Sequence, residues 1–179
     1  YAPGHENVTI KNGLAPRARL IEADILAPLA PDIAEALGRE RYDVVIANPP
    51  YHAVHRGSPA PDAAKQAAHA MPDGALEQWA RFMARMARPG GRFILIHRAD
   101  ALGEIIAAFA ARFGALALLP VHSGAAAPAL RILATGIKGS RAPLRLLPGL
   151  IIHAADGRFR PDIDAILRAP GPLPVTGFT

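Results

Sequence analysis

An asparagine, two prolines and a tyrosine stand in a row directly after a short apolar segment. Asn48-Pro49-Pro50-Tyr51 follow the segment from Val44 to Ile46, which is entered through Tyr42 and Asp43. The apolar run predicts a buried strand, and proline ends it because proline has no backbone N–H to donate to a sheet. Ligands of open α/β sheets bind at the carboxyl ends of strands. The sequence therefore predicts a ligand site at residues 48–51.

These residue types suit chemistry on an exocyclic NH2 group, whose lone pair is delocalised into the adjoining ring. The carboxamide oxygen of Asn48 can accept one amine hydrogen and the carbonyl of Pro49 the other, so that the nitrogen pyramidalises and directs its lone pair at an electrophilic methyl group. Pro49 and Pro50 stiffen the segment before the substrate arrives. Tyr51 can stack on an unstacked base. The alternative is a rigid turn without chemistry, since Asn and Pro are common turn residues.

The segment resembles the Asn-Pro-Pro-Tyr motif of class I S-adenosylmethionine-dependent amino-methyltransferases. From Asn48 onward, the chain is most similar to bacterial tRNA(Val) adenine-N6 methyltransferases. The resemblance implies a Rossmann-like α/β fold and methyl transfer from S-adenosylmethionine to the exocyclic amine of an adenine in RNA, with tRNA as the preferred partner. It assigns catalytic positions to Asn48, Pro49, Pro50 and Tyr51.

The same resemblance assigns the cofactor site to Asp24, Ile25 and Asn48, with Asp24 accepting a hydrogen bond from the cofactor's adenine amine. A turn or helix-cap role is the alternative for Asp24. Such enzymes begin with a strand and a glycine-rich loop, whereas Gly4 and Gly13 are the only glycines before Asp24. We therefore expect residues 1–179 to be the carboxyl-terminal portion of one methyltransferase domain that lacks its first two strands. This portion alone is expected to be inactive, and the Val44 strand should expose apolar residues.

Other functions fit the same motif. A glutamine amide on a peptide-release factor presents the same planar NH2 geometry, and guanine-N2 in ribosomal RNA or adenine-N6 in DNA are further acceptors. A non-catalytic nucleic-acid-binding or structural remnant is the alternative outside enzymes.

The charge of the chain favours a polyanionic partner. The formal net charge is +5 and the isoelectric point about 10.2, with arginine supplying nearly all of the positive charge. Phosphate neutralisation drives non-specific nucleic-acid binding, although an arginine-rich composition can also reflect a GC-rich genome.

Several classes of protein and site are not expected. The chain has no cysteine, which excludes disulfides and thiolate metal sites and fits a cytoplasmic location. No apolar run reaches the roughly 20 residues that span a bilayer, and the first residues do not resemble a secretory signal. The absence of such a run predicts no membrane partner. The histidines lack nearby acids at metal-ligand spacing, so we also predict no metal.

The remaining pattern predicts a mostly parallel sheet with an antiparallel strand pair near the carboxyl end. A long loop is expected over residues 52–72. A helix capped by Asp73 and ended by Pro89-Gly90-Gly91 is expected, and further helices are expected over Ala101–Phe113 and Pro161–Arg168. Further strands are expected at Arg19–Ala23, Phe93–Ile96, Ala115–Val121, Leu130–Ile137 and Leu150–His153.

Weaker signals come from basic residues and from one serine. Phosphate or base contacts are possible roles for a group in and near the long loop: His52, His55, Arg56, Lys65 and His69. Arg81, Arg85 and Arg88 are spaced like one helix face, for which a solvated surface is the simpler interpretation. Ser123 and His122 are adjacent, so their side chains leave a strand on opposite faces and do not form a nucleophile–base pair.

Overall fold

The described residues of the amino-terminal unit contain one α-helix and no strand. The computed structural model describes residues 17–50, 74–169, 171–173 and 175–178, and the chain divides into two compact units, residues 1–37 and 38–179. The described part of the first unit contains helix α1 (Pro31–Leu37). The predicted strand Arg19–Ala23 is wrong, because these residues form no ladder with any described strand. Without a neighbour an apolar segment cannot satisfy its backbone groups as a strand, and Leu20 is 53% exposed.

The second unit is an α/β sheet domain. Its elements in chain order are β1 (Tyr42–Ala47), α2 (Ala75–Met86), β2 (Ala87–Arg98), a 3-10 turn (Ala99–Ala101), α3 (Leu102–Ala110), β3 (Phe113–His122), β4 (Ala129–Lys138), β5 (Arg145–Leu146), β6 (Leu150–Ile151) and α4 (Pro161–Arg168). The strand order is β1-β2-β4-β3-β5, with β6 also beside β3. β1 runs parallel to β2, β4 runs antiparallel to both β2 and β3, and β5 and β6 run parallel to β3. The predicted fold class is confirmed.

Helices α2 and α3 cover one face of the sheet. Leu76, Ala80 and Met83 of α2 are buried against the sheet, as their helical spacing predicts. Phe93 of β2 stacks on Phe109 of α3, with ring centroids 4.4 Å apart. Aromatic pairs in this arrangement contribute beyond the area they bury, so this face holds the larger core.

A smaller core covers the opposite face. Leu119, Leu150, Ile163 of α4 and Phe178 are buried there, and Ile94 of β2 packs against them. β2 therefore has apolar residues on both faces, as a central strand covered by two layers requires. Helix α4 starts at Pro161 and ends at Arg168, as predicted, because proline at the first position lacks only an N–H that has no helical partner.

The join between α2 and β2 differs from the prediction. The helix ends at Met86, three residues before Pro89, because Ala87 is already extended and pairs with Tyr42 of β1. Pro89, Gly90 and Gly91 lie instead in a bulge, after which pairing resumes at Val44 and Arg92. A Cβ on Gly91 would lie 2.9 Å from the Tyr42 carbonyl oxygen, so this position needs glycine for close backbone approach.

The antiparallel pair β3–β4 is confirmed, with longer strands than predicted. β3 begins at Phe113, inside the predicted helix Ala101–Phe113, because α3 already ends at Ala110. Only Leu150 and Ile151 of the predicted strand Leu150–His153 form a ladder, while His153 makes an isolated bridge to Phe159. The predicted helix start at Asp73 and the loop at residues 52–72 lie outside the described residues.

Apolar residues are exposed on β1, which is the terminal strand of the described sheet. Val45 and Ala47 face the larger core, whereas Val44 is 47% exposed and Ile46 is 73% exposed on the opposite side. The predicted exposure of apolar residues on this strand is confirmed.

The contact of β4 with the aromatic core predicts an intolerance to one added methyl group. A Cβ on Gly136 would lie 2.6 Å from Leu116 Cδ2 and 2.7 Å from Phe93 Cε1. We expect Gly136→Ala to lower the free energy of unfolding by about 1–3 kcal/mol, because overpacking displaces buried side chains. Denaturant unfolding measures the difference.

Gly103→Ala is the matched control, because nothing lies within 4 Å of a Cβ at this position in α3. It should leave stability unchanged or raise it by about 0.4–1 kcal/mol. Equal effects of the two substitutions would contradict the packing argument.

Candidate functional site

Asn48 follows the last residue of β1, at the end of a parallel strand pair. Ala47 pairs with Leu95, so Asn48 continues β1 at the level where β2 continues into Ile96. Ala47 is buried, Asn48 is exposed, Pro49 is fully buried and Pro50 is exposed. This alternation is that of an extended segment in which Pro49 is anchored in the protein while the Asn48 side chain reaches solvent. The carboxamide is therefore accessible to a substrate, as its predicted role requires.

The other predicted catalytic residue, Tyr51, lies outside the described residues, as do His52, His55, Arg56, Lys65 and His69. Their predicted contacts with a base or with phosphates stay predictions.

Asp24 and Ile25 belong to the amino-terminal unit, whereas Asn48 belongs to the second. One carboxylate oxygen of Asp24 accepts a hydrogen bond from the backbone N–H of Leu26 at 2.9 Å, so the alternative interpretation of Asp24 as a turn residue describes its local structure. Asp24 is exposed, and the turn uses only Oδ1. The remaining oxygen fits the hydrogen-bonding needs of an adenine amine, and half-buried Ile25 supplies apolar surface next to it. The predicted cofactor contacts stay a prediction.

A histidine that the sequence analysis did not select lies near the end of β2. His97 is 5% exposed and follows Phe93 and Leu95 on the face covered by the helices. Burial lowers the pKa of His97, and the charge of Glu104 on α3 opposes this effect only in part. The strict alternation of Phe93, Leu95 and His97 is the sequence signal that places the imidazole on the buried face.

Charged side chains of both signs lie near the end of β2. Arg98 at the end of β2 forms an ion pair with Asp100 in the following turn. Arg131 of β4 lies opposite Arg98, and Glu104 lies within electrostatic range of His97. The end of β2 and its neighbours therefore carry one ion pair, a further arginine and a further carboxylate.

Comparison with solved structures identifies the fold. A predicted O-methyltransferase from Agrobacterium tumefaciens superposes with a TM-score of 0.71 at 28% sequence identity, over 91% of this chain and 70% of that chain. A modification subunit of a proposed type I restriction enzyme from Vibrio vulnificus matches at 14% identity, over 68% of this chain and 27% of that chain; its TM-score of 0.38 carries no argument. No model of a known protein family matches the chain, and no curated protein sequence does.

The chain has a methyltransferase fold. The solved neighbour supports methyl transfer in general and a cofactor of the S-adenosylmethionine type. In this fold the exposed Asn48 lies at the carboxyl ends of parallel strands, which is the side of an α/β sheet where ligands bind.

The structure also places the His122–Ser123 pair and the arginines in and after α2. His122 Nδ1 lies 2.8 Å from the carbonyl oxygen of Ala127, and the carbonyl of Ser123 contacts the ring of His153. These contacts fix the loop after β3, in agreement with the prediction that Ser123 and His122 are not a catalytic pair. Arg81, Arg85 and Arg88 were predicted to lie on one helix face. Arg88 lies beyond the end of α2 and pairs with Asp43, so of these three only Arg81 and Arg85 share the helix.

None of the described helices is both long and apolar enough to cross a bilayer. Within the described ranges, no three acidic or histidine side chains converge as ligands of a metal ion would.

The burial of His97 predicts a pH dependence of stability. The pKa of His97 is lowered in the folded protein from its ordinary value of 6.5. Below pH 6.5, His97 therefore binds a proton in the unfolded chain more readily than in the folded protein. Stability from the neutral ring is complete above pH 6.5 and falls as the pH drops below it, by at most about 1.4 kcal/mol per pH unit. Denaturant unfolding at pH 7.5, 6.5 and 5.5 measures this slope.

His97→Gln removes the titrating group while it keeps a polar side chain. We expect the loss of stability between pH 6.5 and 5.5 to be smaller in this variant than in the unmodified protein. The same slope in both proteins would show that His97 is not the group responsible.

Proposed function

We propose that the protein transfers a methyl group from S-adenosylmethionine to the exocyclic amine of an adenine in RNA, with tRNA as the preferred acceptor. The methyltransferase fold supports methyl transfer in general. The choice of an amine rests on one observation: Asn48 is exposed at the end of β1 and is followed by the fully buried Pro49.

The chemistry of the site follows from what a carboxamide and a carbonyl can accept. Asn48 Oδ1 accepts one hydrogen of the amine, and the Pro49 carbonyl is the second acceptor in the proposal. Together they hold the nitrogen so that its lone pair points away from the ring plane. Because Pro49 is anchored and its ring restricts the backbone, little freedom is lost when the substrate binds.

The cofactor enters the proposal through its chemistry alone. Bound S-adenosylmethionine supplies an electrophilic methyl group on a sulfonium. Asp24, through the carboxylate oxygen that its turn leaves available, and Ile25 are the proposed contacts for the adenine end. Asn48 is the residue proposed to lie between cofactor and acceptor. The methylated nitrogen then loses its extra proton to water, so no general base is required.

An oxygen acceptor is the second candidate, because the solved neighbour from Agrobacterium tumefaciens is described as a predicted O-methyltransferase. A glutamine amide of a release factor is a third, since it presents the same NH2 geometry as adenine. The net charge of +5 favours RNA over a release factor.

Replacing Asn48 tests the site. We expect Asn48→Ala in the full-length gene product to lower the rate of methyl transfer at least about 100-fold, the typical cost of removing one polar group that acts on the transition state. Cofactor affinity, measured by isothermal titration, should stay within a few-fold, because the methyl acceptor and not the cofactor loses its partner.

Asn48→Asp is the matched control, since it keeps an acceptor oxygen at the same reach while it loses the amide nitrogen. It should retain more activity than Asn48→Ala. Near-normal turnover of Asn48→Ala, with the protein folded, would remove Asn48 from the proposed role.

A panel of acceptors tests the substrate class. We expect radiolabel from methyl-labelled S-adenosylmethionine to enter total tRNA, and nuclease digestion should release it as N6-methyladenosine. Ribosomal RNA, DNA and release factor are the parallel acceptors. Label in the release factor alone, or label on a hydroxyl oxygen, would overturn the assignment to RNA adenine.

A further inference from the structure

A group of cations surrounds a cavity at the end of the sheet where β1 begins. The cavity has a volume of about 400 Å³ and is open to solvent. It is lined by Arg39, Glu40, Arg81, Ala84, Arg85, Arg112 and Lys138, and we call it the basic groove. With Glu77, which contacts two of these arginines, the groove holds five cations and two carboxylates, a net charge of +3.

Glu77 fixes one side of the basic groove. Its carboxylate accepts hydrogen bonds from Arg112 at 2.6 Å and from Arg81 at 3.0 Å. The hydrogen bond from Arg112 and then that from Arg81 lower the pKa of Glu77, so it remains ionised at neutral pH. These two guanidinium groups are thereby held in place.

Lys138 fixes the other side. Its ammonium donates to the carbonyl oxygens of Ala84 and Ala87 at the end of α2, and to Glu40 at 2.8 Å. The hydrogen bond from Lys138, together with its charge, lowers the pKa of Glu40. A lysine that binds the last carbonyls of a helix stabilises that helix end, so Lys138 is a structural part of the groove.

Arg39 and Arg85 remain. Within the described ranges, neither forms an ion pair within 4.0 Å, and the buried Nε of Arg85 has no hydrogen-bond partner there. Their surplus charge lies in a concave surface whose other charged groups are already paired. Guanidinium groups bind phosphate oxygens through two parallel hydrogen bonds.

At the end of the sheet that carries Asn48, Arg98 is already paired with Asp100, whereas Arg39 and Arg85 of the basic groove form no ion pair within the described ranges. The unpaired arginines of the basic groove thus offer a polyanionic acceptor a second contact. The six residues of β1 separate the two ends of the sheet by about 20 Å. That distance corresponds to about six base pairs of a duplex at 3.4 Å per pair.

We propose that the basic groove binds the phosphate backbone of a structured RNA while the target base lies at Asn48, with Arg39 and Arg85 making the phosphate contacts. This inference rests on the proposed function and adds the mode of RNA binding. An acceptor that fills both places must be a polymer at least about 20 Å long. The groove then supplies affinity and register, and the Asn48 segment supplies the chemistry.

The double variant Arg39→Ala/Arg85→Ala tests the proposal. Binding of a fluorescently labelled tRNA is measured by anisotropy between 50 and 300 mM salt, concentrations chosen because phosphate contacts are salt-dependent. We expect the slope of log Kd against log salt to decrease by about 1.4–1.8, since each lost phosphate contact removes about 0.7–0.9. In methyl-transfer assays KM for tRNA should rise about tenfold with kcat unchanged within about twofold, because these arginines do not touch the reacting atoms.

Arg158→Ala/Arg168→Ala is the matched control, since it removes the same charge from side chains that are 87% and 77% exposed outside the basic groove. It should leave the salt slope within about 0.5 of the original, because it removes no proposed phosphate contact. Equal losses in the two double variants would overturn the proposal in favour of a general effect of net charge, and so would no loss in either. Arg39→Glu alone, at an exposed position, keeps the test decisive if the Arg85 substitution unfolds the domain; it should weaken tRNA binding more than Arg158→Glu.

Two further arms separate the source of the anion. Inorganic phosphate at 5 mM, with ionic strength held constant by chloride, should not displace tRNA; displacement would make the groove a small-anion site and overturn the proposal. Methylation of a release factor that depends on Arg39 and Arg85 would likewise replace RNA by an acidic protein. If the unmodified protein methylates tRNA while the double variant keeps its salt slope and KM, the groove proposal fails and the proposed function stands.

Discussion

The parallel ladder between β1 and β2 is the constraint on which the site depends. It pairs Ala47 with Leu95, so the chain leaves the sheet at Asn48 at a fixed level relative to the buried end of β2. Pro49 has no backbone N–H, so it cannot donate a hydrogen bond that would continue the ladder. Its burial fixes the direction of the segment. The position of one carboxamide is thus set by strand register, by a proline ring and by the two cores that hold β2 from either face.

The same ladder links the two ends of the sheet. At the start of β1, backbone N–H groups of Glu40 and Arg41 donate to the carbonyls of Arg85 and Met86, which joins the strand to the end of α2. Lys138, at the end of β4, binds the same helix end. The basic groove is therefore built from backbone hydrogen bonds and ion pairs at a junction of three elements. A rigid connection of about 20 Å then separates it from Asn48.

The sequence predicted the elements whose signals are local. Apolar periodicity and prolines predicted four features that the structure contains: the strand at Val44–Ile46, helix α2, the β3–β4 pair and the limits of α4. The predicted strand at Arg19–Ala23 was wrong because an apolar segment becomes a strand only when a neighbouring strand pairs with it. The prediction that Gly90 and Gly91 end the helix was wrong for a related reason. Their bulge depends on the close approach of Tyr42, which is 49 residues from Gly91. The exposure of Asn48 was implied by its motif, whereas the basic groove joins residues from 39 to 138 and has no local pattern.

The proposal of a nitrogen acceptor depends on how each kind of acceptor loses its proton. A hydroxyl acceptor must lose its proton to a base as its oxygen attacks. His97, on the helix-covered face of β2, is only 5% exposed, so a substrate cannot reach it as a base. An amine needs no base, because its lone pair attacks first and the proton leaves afterwards. In the proposal, the Asn48 carboxamide and the Pro49 carbonyl accept the two hydrogens of an NH2 group. A hydroxyl has one hydrogen and would use only one of these acceptors. This chemistry is the reason for proposing nitrogen, rather than the oxygen named for the solved neighbour, as the acceptor atom.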